Sequence, residues 1–298
     1  MISWLTEPWT HAFMQHAFMA IILVGLICGV IGVFVILRGL AFLGDALAHA
    51  IFPGVVISFI LGGNYLIGAL IAAVIVSFAI GAISQGQRLS NDTAIGVIFA
   101  GGFALGVALL STQQSYSRDL NSFLFGSILS VKQDDLLLTA AVGLVVLLVV
   151  YWRRREFTSI AFDRAFAQSL GINLWAYDQL FLIALAMAIV ISLQTVGNVL
   201  VLAMLVTPAA TARMLTNRLR IMVALSSLIG MASGMLGLYL SYYQGVPSGA
   251  AVVLVATGVF LVVFLVAPES GAITSRLRRR LHHGHPERDR FEDGAAVS

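Results

Sequence analysis

Long apolar runs separated by short polar breaks make up most of the chain. The runs lie near 17–37, 43–62, 65–84, 93–112, 135–152, 178–196, 198–214, 221–242 and 248–267. Each is close to the roughly 20 apolar residues that a helix needs to cross a bilayer core. Their number predicts an all-α integral membrane protein, a polytopic bundle of about nine transmembrane helices, with eight or ten as the bounds. LNSFLFGSILSV (120–131) is apolar but short and broken by Ser and Gly, which predicts a re-entrant or interfacial helix. The opening MISWLTEPWTHAFMQH has no basic n-region and reads as an amphipathic lead-in rather than a cleavable signal.

Composition supports a lipid environment. Of 298 residues, 59% are hydrophobic and 10% charged, against about 25% charged in a soluble domain. The 28 glycines suit close helix packing in lipid. A single cysteine, Cys28, sits in an apolar run as a small hydrophobe and excludes an internal disulfide. Arginines cluster at 153–155, 213–220 and 276–280. The positive-inside rule makes all three cytoplasmic, and nine spans then put the N-terminus outside and the link around Gln85–Asp92 inside. The chain is expected to form one permease-like membrane domain over 1–268, followed by a basic, disordered cytoplasmic tail over 269–298. Glu269 is expected to be solvated, and His282, His283 and His285 to be solvated rather than ligating. No G-x-x-x-x-G-K-[ST] loop is present, so ATP is not hydrolysed here by that machinery.

Two polar features stand out. In RGLAFLGDALAHAIFPG (38–54), Asp45 and His49 are four residues apart and share one helix face. Ionisable groups at membrane depth are costly, and their default reading is functional. Carboxylate plus imidazole suits a borderline divalent metal. Asp45 could also cap its helix or pair with His49 as a structural couple. The second feature is EFTSIAFDRAFAQSLGINLWAYD (156–178), amphipathic with Phe162, Ala165, Phe166 and Leu170 at helical spacing and a stop at Gly171. It could lie on the membrane surface or serve as a docking knob. Elsewhere, Gln194 and Asn198 are expected to make turn or interhelical hydrogen bonds, and Met204 to pack. Thr207-Pro208 is expected to break a span, and Ser241, Tyr242 and Tyr243 to lie at an interface.

AFDRAFAQSLG (Ala161–Gly171) resembles the coupling loop by which ABC importer permeases seat in their ATPase subunits. VFVILRGLAFLGDALAHAIFPGV (Val33–Val55), SNDTAIGVIFAGGFALGV (Ser90–Val107), TVGNVLVLAMLVTPAATARML (Thr195–Leu215) and, more weakly, LGLYLSYYQGVPSGAAVVL (Leu236–Leu254) resemble the metal-ion ABC transporter permeases. The wording is closest to manganese members. Gln244-Gly245 departs from relatives that carry an acidic residue there, which removes an acidic external site from the expectation.

The resemblance implies a fold similar to vitamin B12-type importers and a plasma-membrane homodimer. The expected partners are cytoplasmic ABC ATPase subunits outside this chain and an extracytoplasmic metal-binding protein; no nucleic-acid partner is expected. It implies a non-enzymatic permease importing a transition-metal dication, most similar to manganese(II) systems, without a permanently bound cofactor. Asp45 and His49 would handle the metal, two ligands per subunit and four per dimer. Ala161, Phe162, Asp163, Ala167 and Gly171 would couple to the ATPase through a helix of about 156–172. Zinc or iron transport and a proton-coupled secondary metal carrier are the alternatives. An intramembrane metalloenzyme is disfavoured, because no H-E-x-x-H pair exists.

Overall fold

The computed structural model describes residues 6–84, 91–112 and 128–267. A 3-10 turn, Glu7–Thr10, leads into α1 (Ala12–Leu37). Then come α2 (Leu43–Ala50), α3 (Phe52–Ile60), α4 (Tyr65–Ser84) and α5 (Asn91–Ser111). After a short 3-10 turn at Ile128–Ser130 follow α6 (Gln133–Trp152), α7 (Arg154–Phe162), α8 (Arg164–Ser169) and α9 (Leu174–Val196). The described residues close with α10 (Asn198–Leu215), α11 (Leu219–Gln244) and α12 (Ser248–Val266). Among the described residues, 9 helices are long and apolar enough to cross a membrane, with α2 and α3 together forming the second. Of the expected helix at 120–131, only its last residues are described, and the tail beyond 267 lies outside the described residues.

The centre is α1, apolar on every side, and α9 is the most buried span. On α1, Gly25, Gly29 and Gly32 recur at i, i+4, i+7 and so share one face. A Cβ at Gly25 would meet the Met231 backbone nitrogen of α11 at 2.9 Å. One at Gly29 would meet Ser227 Cα at 2.6 Å, and one at Gly32 would run into the Leu205 carbonyl of α10. Small residues thus let three helix backbones approach closely, the way helices associate in lipid without a hydrophobic drive between them. The contact is also tied by Ser226 Oγ, which donates to the Gly29 carbonyl at 2.8 Å.

Two spans differ from simple rods. The second is interrupted at Ile51, because Pro53 lacks the N–H that would bond the His49 carbonyl. By contrast, α10 continues through Pro208 rather than breaking. The Thr207 carbonyl one residue earlier accepts from Thr211 Oγ1 at 2.7 Å, so local side-chain bonding accompanies the proline.

Both ends of α1 fix the topology. Near its start, Trp9 Nε1 donates to Tyr239 Oη at 2.7 Å and Tyr243 Oη to Glu7 Oε2 at 3.3 Å, so the N-terminal turn lies at the C-terminal end of α11. At its other end, Arg38 reaches Asp178 at the start of α9. Arg38 is therefore on the side of the basic 153–155 segment, which the positive-inside rule assigns to the cytoplasm.

Candidate metal site

Asp45 is the third residue of α2 and His49 lies one turn on. The capping alternative for Asp45 is not realised: the N-cap is Phe42, without a side-chain bond. Instead Asp45 turns to the histidine. His49 Nδ1 lies 3.0 Å from the Asp45 carbonyl oxygen and 3.2 Å from its Oδ1. Two acceptors facing one ring nitrogen assign the proton to Nδ1, which leaves the Nε2 lone pair for an incoming donor or metal. Carboxylates orient ligand histidines in this way in metal sites. The two side chains keep 21% and 30% of their exposure, so neither is sealed from an ion. Phe99 and Phe103 of α5 stand edge-on to the imidazole, each with its ring centroid 5.4 Å away.

The third polar partner is Asn198, whose Nδ2 lies 3.4 Å from His49 Nε2. The expected turn or interhelical hydrogen bond at Asn198 is an interhelical one, although no feature of the sequence pointed it at α2. The expectation for Gln194 holds, since its Nε2 donates to Asp135 Oδ1 of α6 at 3.1 Å. Met204 is fully buried and packs. Gly197, at φ +83, permits the one-residue turn that starts α10 at Asn198.

The depth of the pair follows from helix directions. A Cβ on Gly44 would lie 2.7 Å from Leu205 Cδ2, whereas His49 touches Asn198, seven residues earlier in α10. Helices α2 and α10 are therefore antiparallel. His49 stands at the extracytoplasmic end of α10, and Asp45 about 5–6 Å further in. Among the described residues no group of three or more His, Cys, Asp and Glu could hold a metal.

On the cytoplasmic side, the expected helix over 156–172 is divided into α7 and α8. Asp163 is extended (φ −150°, ψ 105°) and caps α8, accepting from the Phe166 N–H at 2.9 Å. Capping competes with helix continuation at such a residue. Ala161 is half-buried and Ala167 fully buried, while Phe162, Phe166 and Leu170 are exposed at 65%, 56% and 58%. Gly171 takes φ +76°, as its predicted role as a stop requires.

A chain of ion pairs absent from the sequence reading joins this segment to the C-terminal end of α1. Asp178 Oδ1 accepts from Arg38 Nη1 at 2.9 Å, and its Oδ2 from Arg164 Nη2 of α8 at 2.7 Å. Arg38 keeps only 6% of its side-chain exposure, and its guanidinium carbon sits 4.3 Å from the Phe181 ring centroid. Burial pulls the Arg38 guanidinium below its ordinary value, and the Asp178 charge draws it back up. The signal was present as a lone arginine directly after an apolar run, but its partner lies 140 residues away.

The model of the ABC 3 transport family matches residues 10–267. The chain belongs to that family. It is 44% identical over 265 residues to the manganese transport system membrane protein MntC of Halalkalibacterium halodurans, covering 89% of this chain and 91% of the relative. It is 43% identical to the MntC of Listeria monocytogenes, covering 90% of this chain and 95% of the relative. Among solved structures it is similar to PsaBC from Streptococcus pneumoniae in complex with Fab, with a TM-score of 0.82 and 36% identity over 94% of this chain and 100% of that one. The expected permease fold is borne out. This is a multi-pass bacterial plasma-membrane subunit of an ABC transporter; it is not itself an enzyme, and ATP hydrolysis belongs to a separate subunit.

Proposed function

We propose that this chain is the permease of a manganese(II) importer and that Asp45 and His49 meet the metal in transit. The observation that carries the reading is the contact of His49 Nδ1 with the Asp45 carbonyl and carboxylate oxygens, which leaves Nε2 facing away, at membrane depth in a chain similar over nine-tenths of its length to manganese permeases. A carboxylate lowers the cost of bringing a dication into a low-dielectric pathway, and a neutral imidazole adds preference over magnesium and calcium. His49 would grip the ion transiently while Asp45, held at the other ring nitrogen, lends its charge, and a second copy of the chain would supply the same pair. An extracytoplasmic metal-binding protein would deliver the ion.

The exposed Phe162, Phe166 and Leu170 form an apolar knob suited to a cleft on a cytoplasmic ATPase. In this reading Asp163 and Gly171 hold its shape, with Ala161 and Ala167 packed beneath. The Arg164–Asp178–Arg38 relay runs from the knob to the residue that leads into α2, so ATPase closure would be felt at the metal helix.

The test is manganese uptake by cells in which this transporter is the sole route. Asp45→Ala and His49→Ala are each expected to abolish uptake while leaving assembly with the ATPase intact. Normal uptake by both variants would overturn the assignment. Rescue of cellular metal content by manganese, zinc or iron, tested separately after deletion, ranks the three ions.

A further inference from the structure

We propose that Asn198 is a further protein ligand to the transported dication, its carboxamide oxygen joining His49 Nε2 on the side of the ring away from Asp45, which holds the imidazole from Nδ1. The inference rests on the reading of Asp45 and His49 as the metal site and adds a residue that α10 brings to it.

Three observations converge. Asn198 is 5% exposed, and its Oδ1 has no hydrogen-bond partner among the described residues. A buried, unpaired amide oxygen costs free energy and calls for a partner. The same amide presents Nδ2 to His49 Nε2 at 3.4 Å, the orientation expected while that nitrogen offers a bare lone pair. Once a dication takes the lone pair, an N–H facing the cation is repelled. Half a turn about Cβ–Cγ then replaces Nδ2 by Oδ1 with no other movement. The spacing also fits: two donor atoms about 2.1 Å from one ion stand about 3.0 Å apart at a right angle and about 3.4 Å apart at the tetrahedral angle.

The chemistry of the set bears on the choice of ion. An amide oxygen is a hard, neutral donor of the class that suits manganese, and it adds no charge that would trap the ion. Imidazole and carboxamide leave further positions for water in an octahedral shell, while Asp45 supplies its charge from behind the ring. Asn198 thereby turns a pair acceptable to several borderline metals into a site favouring the harder ones.

The test uses the full-length permease assembled with its ATPase in lipid nanodiscs. Manganese(II) is titrated by the electron paramagnetic resonance signal of the free ion, and zinc(II) is added as competitor. Four variants are compared: His49→Ala, Asn198→Leu, Asn198→Asp and Asn198→His. His49→Ala is expected to lose manganese binding. Asn198→Leu should weaken it about 10- to 100-fold, the range found when a supporting group of a metal site is removed. Asn198→Asp should restore it, because a carboxylate can ligate but cannot donate a hydrogen bond to Nε2. Asn198→His should move the manganese-to-zinc affinity ratio at least about tenfold toward zinc.

If Asn198→Leu binds manganese within twofold of the parent while His49→Ala does not bind, Asn198 is no ligand and the Asp45–His49 reading stands. If Asn198→Asp is as weak as Asn198→Leu, Asn198 acts only as a donor to the imidazole and the proposal is overturned. Unaltered binding by His49→Ala instead removes the reading beneath it. Should the leucine variant fail to assemble, the aspartate and histidine variants decide alone, through affinity and ion preference.

Discussion

Replacing Asp178 by leucine removes the carboxylate shared by Arg38 and Arg164. Arg38 keeps only 6% of its side-chain exposure, and its Nε and Nη2 already lack partners among the described residues. Breaking one side of a buried ion pair costs about 3–5 kcal/mol, because the remaining charge stays desolvated. Two features reduce that figure. Asp178 is itself 25% exposed, so water can enter where it stood, and the Phe181 face still receives the guanidinium. The Arg164 contact, to a side chain 56% exposed, contributes less than about 1 kcal/mol. The expected loss is about 2–3 kcal/mol in equilibrium unfolding of the assembled transporter in mixed micelles. Arg38→Met combined with Asp178→Leu removes both charges and should return stability to within about 1 kcal/mol of the parent. That double variant separates stability from mechanism: it should fold, yet hydrolyse more ATP per ion moved. A double variant as unstable as the single one refutes the buried-charge argument. An unchanged ratio of ATP to metal shows that the relay holds the fold without carrying the signal.

Gly32→Ala places a Cβ against the Leu205 carbonyl, which is backbone and cannot step aside, so about 1–3 kcal/mol of overpacking is expected. Gly258→Ala on α12 has open space around it and is the control; monodispersity and yield on size exclusion should fall for the first alone. Gly171→Ala forces a side chain into φ +76° at a cost of about 1 kcal/mol. It should lower coupled ATP turnover while leaving manganese binding unaltered, and equal coupling in parent and variant would count against a mechanical role for α8.

The length of the apolar runs marked the nine spans to within a few residues, since each had to be long enough to cross lipid whatever it packs against. The Asp45–His49 pair was legible for a related reason: two polar residues one turn apart meet on any helix. What escaped were contacts made across the fold. Asn198 and His49 are separated by 149 residues, and Arg38 and Asp178 by 140. No local pattern encodes such a meeting; it depends on the crossing of α2 and α10 and on where α9 begins. The division at Asp163 was hidden too, because apolar spacing runs on from Phe162 to Phe166 and only the extended backbone at the cap reveals the break.

The two phenylalanines edge-on to His49 have a bearing on direction. Between Thr93 and Ser111, α5 carries no side-chain oxygen or nitrogen at all. An ion held at the imidazole therefore meets hydrocarbon on that flank, where no donor could replace the one it leaves, and an unshielded dication does not enter such a medium. An ion bound there as proposed is kept from leaking toward α5 without a gate or a charge. On the reading proposed above, α5 walls off one flank of the site, and the ion is left to the sides that carry polar groups.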